Sequence, residues 1–182
     1  LSHSLVDEIK AQQILAAAES GELSLDLTRF NALHLVYELL GTYTKHEVAQ
    51  GRMLAVAPNA EAVSFVSDKT LMRRVVGNMV KNALEASHAG QTVTIGCRNL
   101  VDAVEFSVHN PNEMPRSVQL QIFQRSFSTK GAGRGLGTYS MRLLSEQYLH
   151  GQVAFTSAAG QGTTFYARYP REFPASEDAL LP

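Results

Sequence analysis

The spacing of apolar and polar residues divides the chain into helical and extended segments. Apolar residues recur at helical spacing over residues 3–20, from 31 to about 50, over 69–87 and over 136–149. Strand patterns follow at 24–28, 54–56, 63–65, 93–97, 104–108, 153–155 and 165–169. This order predicts an α+β fold: a two-layer α/β sandwich with helices on one face of a mixed, largely antiparallel sheet, preceded by an N-terminal helix.

Composition narrows the range of partners. Of the 182 residues, 45% are hydrophobic and 18% are charged, and the formal net charge is -1, so we expect no basic surface for nucleic acid or anionic lipid. The single cysteine and the scattered histidines lack metal-ligand spacing, which argues against structural zinc. No apolar run approaches the ~20 residues of a membrane helix, and Leu1 in place of Met indicates a piece of something longer. We expect a cytoplasmic domain without direct membrane contact, whose parent protein is either soluble or membrane-anchored.

The helical segment 69–87 carries polar residues with a chemical use. Asn78, Asn82 and Glu85 are spaced to share one helix face, with Lys81 at its edge. Asn is a poor helix former that an exposed position has no reason to prefer over Lys or Glu. A neutral amide oxygen suits Mg²⁺ that already carries phosphates, because Mg²⁺ takes few protein ligands and keeps its waters. The face is therefore either an ordinary solvated surface or part of a magnesium and phosphate site.

A glycine-rich loop leads directly into the helix predicted at 136–149. It contains Gly131, Gly133, Gly135 and Gly137, together with the cations Lys130 and Arg134. Glycines let the backbone approach an anion, and the free N–H groups of a helix start favour negative charge. The pattern predicts either a phosphate-binding loop or a glycine-rich surface turn, and it matches neither the Walker A motif nor the dinucleotide fingerprint. A further glycine pair, Gly160 and Gly162, is typical of a hairpin-like turn.

Four motifs in a fixed order resemble those of the GHKL ATPase superfamily, specifically the catalytic ATP-binding domain of sensor histidine kinases. They read NMVKNALEAS (78–87), IFQRSFSTKG (122–131), GRGLGTYSMRLL (133–144) and GQGTTF (160–165). The resemblance covers roughly residues 24–170 and implies a Bergerat-type ATP-binding fold. The segment LVDEIKAQQILAAAESGEL resembles the end of the second helix of a dimerisation hairpin. The expected division is the dimerisation helix over 1–22, the catalytic domain over 23–170 and a loose tail over 171–182.

The resemblance also implies a role for each site residue. Asn82 would hold Mg²⁺, Asn78 and Lys81 would lie near the phosphates, and Asn110 with Thr163 would orient the adenine of ATP. The lid over the nucleotide would consist of Lys130, Gly131, Gly133, Arg134, Gly135, Leu136 and Gly137. Asn78, Asn82 and Lys130 are the residues expected to act in catalysis.

Asn78 bears on which reaction is expected, and Asn110 bears on how strongly adenine is expected to bind. Superfamily members that activate water or a hydroxyl carry a glutamate base where this chain has Asn78, which favours phosphoryl transfer to histidine because a neutral imidazole is already a nucleophile. Asn110 stands where the family usually has an aspartate that accepts a hydrogen bond from adenine, and the glycines of that motif are missing. A neutral acceptor gives up roughly 1 kcal/mol, so we expect weak adenine binding.

The predicted function is a two-component histidine kinase domain that transfers the γ-phosphoryl group of ATP to a histidine upstream of this chain. His3 is not expected to be that histidine, because it lacks the acidic neighbour and the hairpin that the family has. The expected partners are ATP, Mg²⁺, the chain's own dimerisation and phosphoacceptor domain, and the receiver domain of a response regulator. Two alternatives are a degenerate docking module, which Asn110 supports, and a hydrolase or serine kinase, which Asn78 argues against.

Overall fold

The structure, a computed structural model, describes residues 2–125 and 136–174. In chain order its elements are α1 (Ser2–Ser20), β1 (Leu27–Asn31), α2 (Ala32–Thr44), a 3₁₀ turn (Glu47–Ala49), β2 (Met53–Val56), β3 (Ser64–Asp68), α3 (Lys69–Glu85), β4 (Thr92–Asn99), β5 (Ala103–Asn110), α4 (Arg116–Gln119), α5 (Leu136–Leu143), a π turn (Leu144–Tyr148), β6 (Gln152–Ala158) and β7 (Gly162–Pro170).

Five strands form the main sheet, in the order β2-β4-β5-β7-β6. The β2–β4 pair is parallel, and the other three pairs are antiparallel. The strands β1 and β3 form a separate antiparallel ribbon. The predicted sandwich with a mixed, largely antiparallel sheet is therefore confirmed.

The core lies between one face of the sheet and the apolar face of α3. The alternating residues of β4 and β5 that the sequence assigns to the interior are all inaccessible: Val93, Ile95, Cys97, Val104, Phe106 and Val108. On α3 the residues opposite the polar face are at most 1% exposed: Val75, Val76, Met79, Val80, Ala83 and Leu84. Each buried Val, Leu or Met side chain among them contributes about 1.5–3 kcal/mol by leaving water. Burial raises the pKa of the Cys97 thiol to about 11, as expected for a cysteine in the core.

The start of α3 is fixed by Asp68, the N-cap residue of the helix. One carboxylate oxygen accepts from the Leu71 backbone N–H at 3.0 Å, which satisfies a free donor of the first helical turn. The other oxygen accepts from the Asp26 N–H at 2.9 Å. The N-cap residue therefore also holds the chain just before β1. It fixes where α3 begins, and so which residues form the polar face of α3.

Some element boundaries differ from the sequence prediction because tertiary contacts, and not the local pattern alone, decide where an element begins and ends. The first strand is β1, Leu27–Asn31, three residues later than predicted, where Phe30 packs on Phe65 with ring centroids 4.6 Å apart. The helix expected to reach about residue 50 ends at Thr44. The last helix loses α geometry after Leu143 and continues as the π turn.

The segment that follows β7 also differs from the prediction. Residues 171–173 lie within the predicted loose tail, yet they contact the fold. The Val66 N–H donates to the Arg171 carbonyl at 3.0 Å, and Glu172 pairs with Arg29 at 2.8 Å. The Phe173 ring lies edge-on to His150 with centroids 4.9 Å apart. The backbone therefore leaves the main sheet by joining the edge of the β1–β3 ribbon.

Candidate functional site

The polar face of α3 meets the start of α5. Asn78 is half-buried, and its Nδ2 donates to the Gly137 carbonyl over a long 3.4 Å. A methyl group built on Gly137 would lie 3.9 Å from the Asn78 side-chain amide, which is an ordinary van der Waals distance. The asparagine motif and the end of the glycine-rich motif are separated by 59 residues in the chain, and the fold places them in contact.

Asn82 lies one helical turn beyond Asn78, and its side-chain amide nitrogen is left without a hydrogen bond by the described residues. Its Nδ2 is buried and has no hydrogen-bond partner among the residues that the structure describes. Such an atom costs free energy unless a ligand reaches the amide, since buried polar groups are normally paired. Rotation of the amide would present either its oxygen or its nitrogen to that ligand. The residue therefore fits the predicted magnesium ligand, and an amide oxygen is a ligand type that Mg²⁺ accepts.

The described part of the chain holds no ready-made metal cluster. In residues 2–125 and 136–174, no group of three His, Cys, Asp or Glu side chains is placed to hold a metal ion. Lys81, beside Asn82, is half-buried and brings a positive charge to the same face. A Mg²⁺ ion at Asn82 would keep most of its water and phosphate ligands, as Mg²⁺ usually does in proteins.

The other predicted binding residues, Asn110 and Thr163, are direct partners across β5 and β7. They are 2% and 3% exposed. The Asn110 Oδ1 accepts from the Asn112 backbone N–H at 3.0 Å, and the Thr163 hydroxyl donates to the Asn112 carbonyl at 2.8 Å. Asn110 and Thr163 are thus brought together at the end of the sheet, and both bind the same residue of the following loop.

Asn112 is a structural residue of the site that the sequence analysis did not identify. Its side-chain amide exchanges two hydrogen bonds with the amide of Gln91, at 2.7 and 3.0 Å. The same amide donates to the Ala86 carbonyl at the end of α3 at 2.7 Å. The sequence signal is the Asn-Pro-Asn run, which is typical of a turn closed by asparagine side chains. Asn112 connects the end of α3 to the Asn110–Thr163 pair.

Gly162 allows β7 to lie close to the end of β5. It has a positive φ of 75°, and a methyl group there would lie 2.2 Å from the Asn110 carbonyl oxygen. No side chain fits that gap, and L-residues also disfavour that φ. Gly162 therefore sets the distance between β7 and the end of β5.

Several predicted site residues lie outside the described residues: Lys130, Gly131, Gly133, Arg134 and Gly135. Of the predicted lid, Leu136 and Gly137 are described, and they form the first turn of α5. Two groups of predicted residues are therefore assembled by the fold, Asn78 with Gly137 and Asn110 with Thr163. Asn82 and Lys81 lie on α3 between them.

This fold and this site match a known family. Residues 67–172 match the family described as histidine kinase-, DNA gyrase B-, and HSP90-like ATPase, which is more than half of the chain, so the chain belongs to that family. Three of its most similar relatives are sensor proteins or kinases. DegM of a Bacillus species is 35% identical over 137 residues, which is 74% of this chain and 36% of that protein. DivL of Caulobacter vibrioides is 28% identical over 172 residues, 93% of this chain and 22% of that protein.

The third relative, sporulation kinase C of Bacillus subtilis, is 33% identical over 105 residues, 57% of this chain and 24% of that protein. The chain therefore spans 22–36% of the length of these relatives.

Solved structures agree on the fold. The catalytic domain of the histidine kinase ThkA has a TM-score of 0.72 at 23% identity, with 82% of this chain and all of that chain covered. The histidine kinase AdeS of Acinetobacter baumannii has a TM-score of 0.74 at 15% identity, with 93% and 80% covered. Among the helices that the structure describes, none is long and apolar enough to cross a membrane.

Proposed function

We propose that this chain is the ATP-binding catalytic domain of a two-component sensor histidine kinase, and that it transfers the γ-phosphoryl group of ATP to a histidine upstream of residue 1. The observation that carries the proposal is the contact of Asn78 with Gly137, one helical turn from the buried Asn82 Nδ2, which has no hydrogen-bond partner among the described residues. This contact places an amide side chain next to the N-terminus of α5, and a helix N-terminus is a favourable place for phosphate groups.

Each residue has a proposed part in positioning the nucleotide. Asn82 would hold the Mg²⁺, which when bound would supply compensation of the phosphate charge. Asn78 orients the phosphates against the N–H groups at the start of α5, and Lys81 adds positive charge. Lys130 and Arg134, outside the described residues, are proposed from the family resemblance to offset charge on the γ-phosphoryl group. Phosphoryl transfer needs mainly such positioning and charge compensation.

The neutral side chain of Asn78 bears on the choice of acceptor. An amide does not take a proton from water or from a serine hydroxyl, so it does not serve as a general base. A neutral imidazole attacks through a ring-nitrogen lone pair and needs no proton removed beforehand. Asn78 therefore supports transfer to histidine over hydrolysis or serine phosphorylation.

The adenine would lie near Asn110 and Thr163. Both side chains are already held by Asn112, so no side-chain entropy need be lost when a base binds. The amide of Asn110 carries no charge, and a carboxylate acceptor would bind the adenine amino group more strongly. We propose weak but specific adenine binding at this end of the site.

Further partners are proposed from the relatives. The neighbour ThkA has been solved in complex with the response regulator TrrA, and ShkA in complex with AMPPNP. By analogy, this chain would bind ATP and work with a response regulator receiver domain. Residues 1–22 would form the end of a dimerisation helix, and the whole would lie in the cytoplasm, with a parent protein that is free or membrane-anchored.

Titration of the chain with AMPPNP, with and without Mg²⁺, tests this function. We expect saturable binding that is tighter with Mg²⁺, measured by calorimetry. No binding at millimolar nucleotide would contradict the proposal and favour a docking module. Steady phosphate release from ATP in the absence of any histidine substrate would instead favour a hydrolase.

A further inference from the structure

The turn that follows β5 is held by hydrogen bonds to one residue, Asn112. Its backbone N–H donates to Asn110 Oδ1 at 3.0 Å, and its carbonyl accepts from the Thr163 hydroxyl at 2.8 Å. Its side-chain nitrogen donates to the Ala86 carbonyl and to Gln91 Oε1, each at 2.7 Å. Its side-chain oxygen accepts from Gln91 Nε2 at 3.0 Å. The fold therefore uses each polar group of Asn112, although the residue is only half-buried.

The Gln91 side chain is fixed as well, which makes the pair of amides rigid. Gln91 Oε1 also accepts from the His88 backbone N–H at 2.7 Å, within the turn that joins α3 to β4. Two amides that exchange hydrogen bonds hold each other's orientation, because the donor and acceptor ends of an amide differ. The pair therefore joins the turn after α3 to the turn after β5.

Asn112 lies between the two ends of the proposed site. At the end of α3, the Ala86 N–H donates to the Asn82 carbonyl at 3.0 Å, so the Ala86 carbonyl that Asn112 binds belongs to the helical turn after Asn82. On its other side, Asn112 binds Asn110 and Thr163 directly. A nucleotide that spans the site binds well only if the separation of these two ends matches the distance between its base and its phosphates.

The chain beyond Asn112 is fixed at a second point. The Met114 N–H donates to the Ser157 hydroxyl at 2.8 Å, and that hydroxyl lies 2.8 Å from the Thr163 hydroxyl. The glycines expected in this motif are missing from the sequence. Hydrogen bonds from side chains hold the turn in their place.

We propose that Asn112 is a positioning residue for the nucleotide: it fixes the separation between Asn82, at the metal-binding end, and the Asn110–Thr163 pair, at the adenine end. The inference rests on the proposed function, because it assumes that the phosphates and the base of one nucleotide occupy these two ends. Asn112 acts through its neighbours and need not touch the ligand. A ligand without a base does not span the two ends, so its affinity does not depend on Asn112.

The variant Asn112→Ala tests this role with two ligands. It removes the side-chain bonds to Ala86 and Gln91 and keeps the backbone bonds to Asn110 and Thr163. We expect the Kd for AMPPNP with Mg²⁺ to rise about 5-fold, the effect of losing one or two hydrogen bonds. We expect the Kd for inorganic triphosphate with Mg²⁺ to stay unchanged. Isothermal titration calorimetry measures both constants.

The matched control is Asn31→Ala, at the start of α2. Asn31 Oδ1 accepts from the Leu33 and His34 N–H groups at 2.9 and 3.3 Å and caps the helix. This variant therefore also loses asparagine hydrogen bonds and some stability, but it leaves the turn after β5 intact. We expect both Kd values to stay unchanged. Thermal unfolding shows that each variant is folded at the temperature of the titration.

A second variant, Gln91→Ala, removes one partner of the Asn112 side chain and leaves the bond to Ala86. We expect a smaller rise of the Kd for AMPPNP and none for triphosphate, and this variant decides the question if Asn112→Ala does not fold.

An unchanged Kd for AMPPNP in the deciding variant would overturn the inference. An equal rise for triphosphate, or an equal rise in Asn31→Ala, would overturn it too, because the effect would then be one of general stability. If the unaltered chain does not bind AMPPNP, the proposed function itself is wrong.

Discussion

At the scale of single residues, the site depends on three asparagines. Asn82 has a buried and unused amide nitrogen, Asn78 contacts the start of α5, and Asn110 binds the loop that follows its own strand. All three are neutral, so in the proposed site they would supply orientation, and the positive charge that phosphates require would come from lysine, arginine and a bound cation. Their separate roles are distinguishable by single substitutions.

Replacement of Asn82 by alanine removes the proposed magnesium ligand. We expect Asn82→Ala to abolish most of the gain in affinity that Mg²⁺ gives to AMPPNP binding, while binding without Mg²⁺ changes little. Calorimetric titrations at several Mg²⁺ concentrations measure this difference. If the variant responds to Mg²⁺ as the unaltered chain does, Asn82 is not the metal ligand.

Replacement of Asn110 by aspartate tests the adenine end. The carboxylate keeps one oxygen for the Asn112 N–H and offers a charged second oxygen to a base, so we expect AMPPNP binding to tighten severalfold, for a gain of roughly 1 kcal/mol. The control is inorganic triphosphate, which has no base and whose Kd should not fall in Asn110→Asp. Equal tightening of both ligands would contradict an adenine-binding role for this residue.

Gly162 is required by the close approach of two strands. In Gly162→Ala the new methyl group would meet the Asn110 carbonyl oxygen at 2.2 Å, so we expect a loss of about 2–4 kcal/mol in the free energy of unfolding. Gly160 is a matched control, because its φ of 71° is similar but nothing lies within 4 Å of a methyl group there. Gly160→Ala should cost about 1 kcal/mol, and urea denaturation compares the two variants.

At the scale of secondary structure elements, a row of charged side chains connects three neighbouring strands of the main sheet, on the face opposite the core. Glu105 on β5 is 1% exposed and accepts hydrogen bonds from Arg98 on β4 and Arg168 on β7. The three residues are in register across the strands, the arrangement in which cross-strand pairs stabilise a sheet. Burial acts to raise the pKa of Glu105, but the hydrogen bonds and charges of the two arginines outweigh it and leave the pKa below its ordinary value.

The stabilisation by Glu105 depends on pH with a definite sign. Because its pKa is lower in the folded state, Glu105 stabilises the fold fully above the unfolded-state pKa, and this stabilisation is lost as the pH falls through the folded pKa. We expect Glu105→Gln to lower the free energy of unfolding by about 1–3 kcal/mol at neutral pH, and the difference to shrink below roughly pH 4.

Urea denaturation over a range of pH measures the effect of Glu105→Gln. Glu146→Gln, which breaks the surface pair with Arg142, is the control and should change the free energy of unfolding by about 0.5 kcal/mol or less at any pH. A Glu105→Gln effect that stays constant or grows in acid would contradict the assigned role.

At the scale of the whole molecule, the two predicted halves of the site are joined by contacts that no local pattern reveals. Asn112 connects the end of α3 to Asn110 and Thr163, and Glu19 connects α1 to Arg125. Glu19 lies at the end of a helix and Asn112 in a turn, and no spacing in the sequence indicates the distant partners of either residue. The sequence therefore indicated the residues that we propose for nucleotide binding, but not the residues that hold them in place.

The sequence by itself determined the fold class and the polar face of α3. Alternating apolar residues mark the interior of β4 and β5, and helical spacing separates Asn78 and Asn82 from the core face of α3, because burial of apolar surface follows these periods. Tertiary structure alone decided where β1 begins, where α5 changes to the π turn, and which residues contact Asn112 and Glu19. Those features depend on contacts between distant segments, whose energies arise only when the chain has folded.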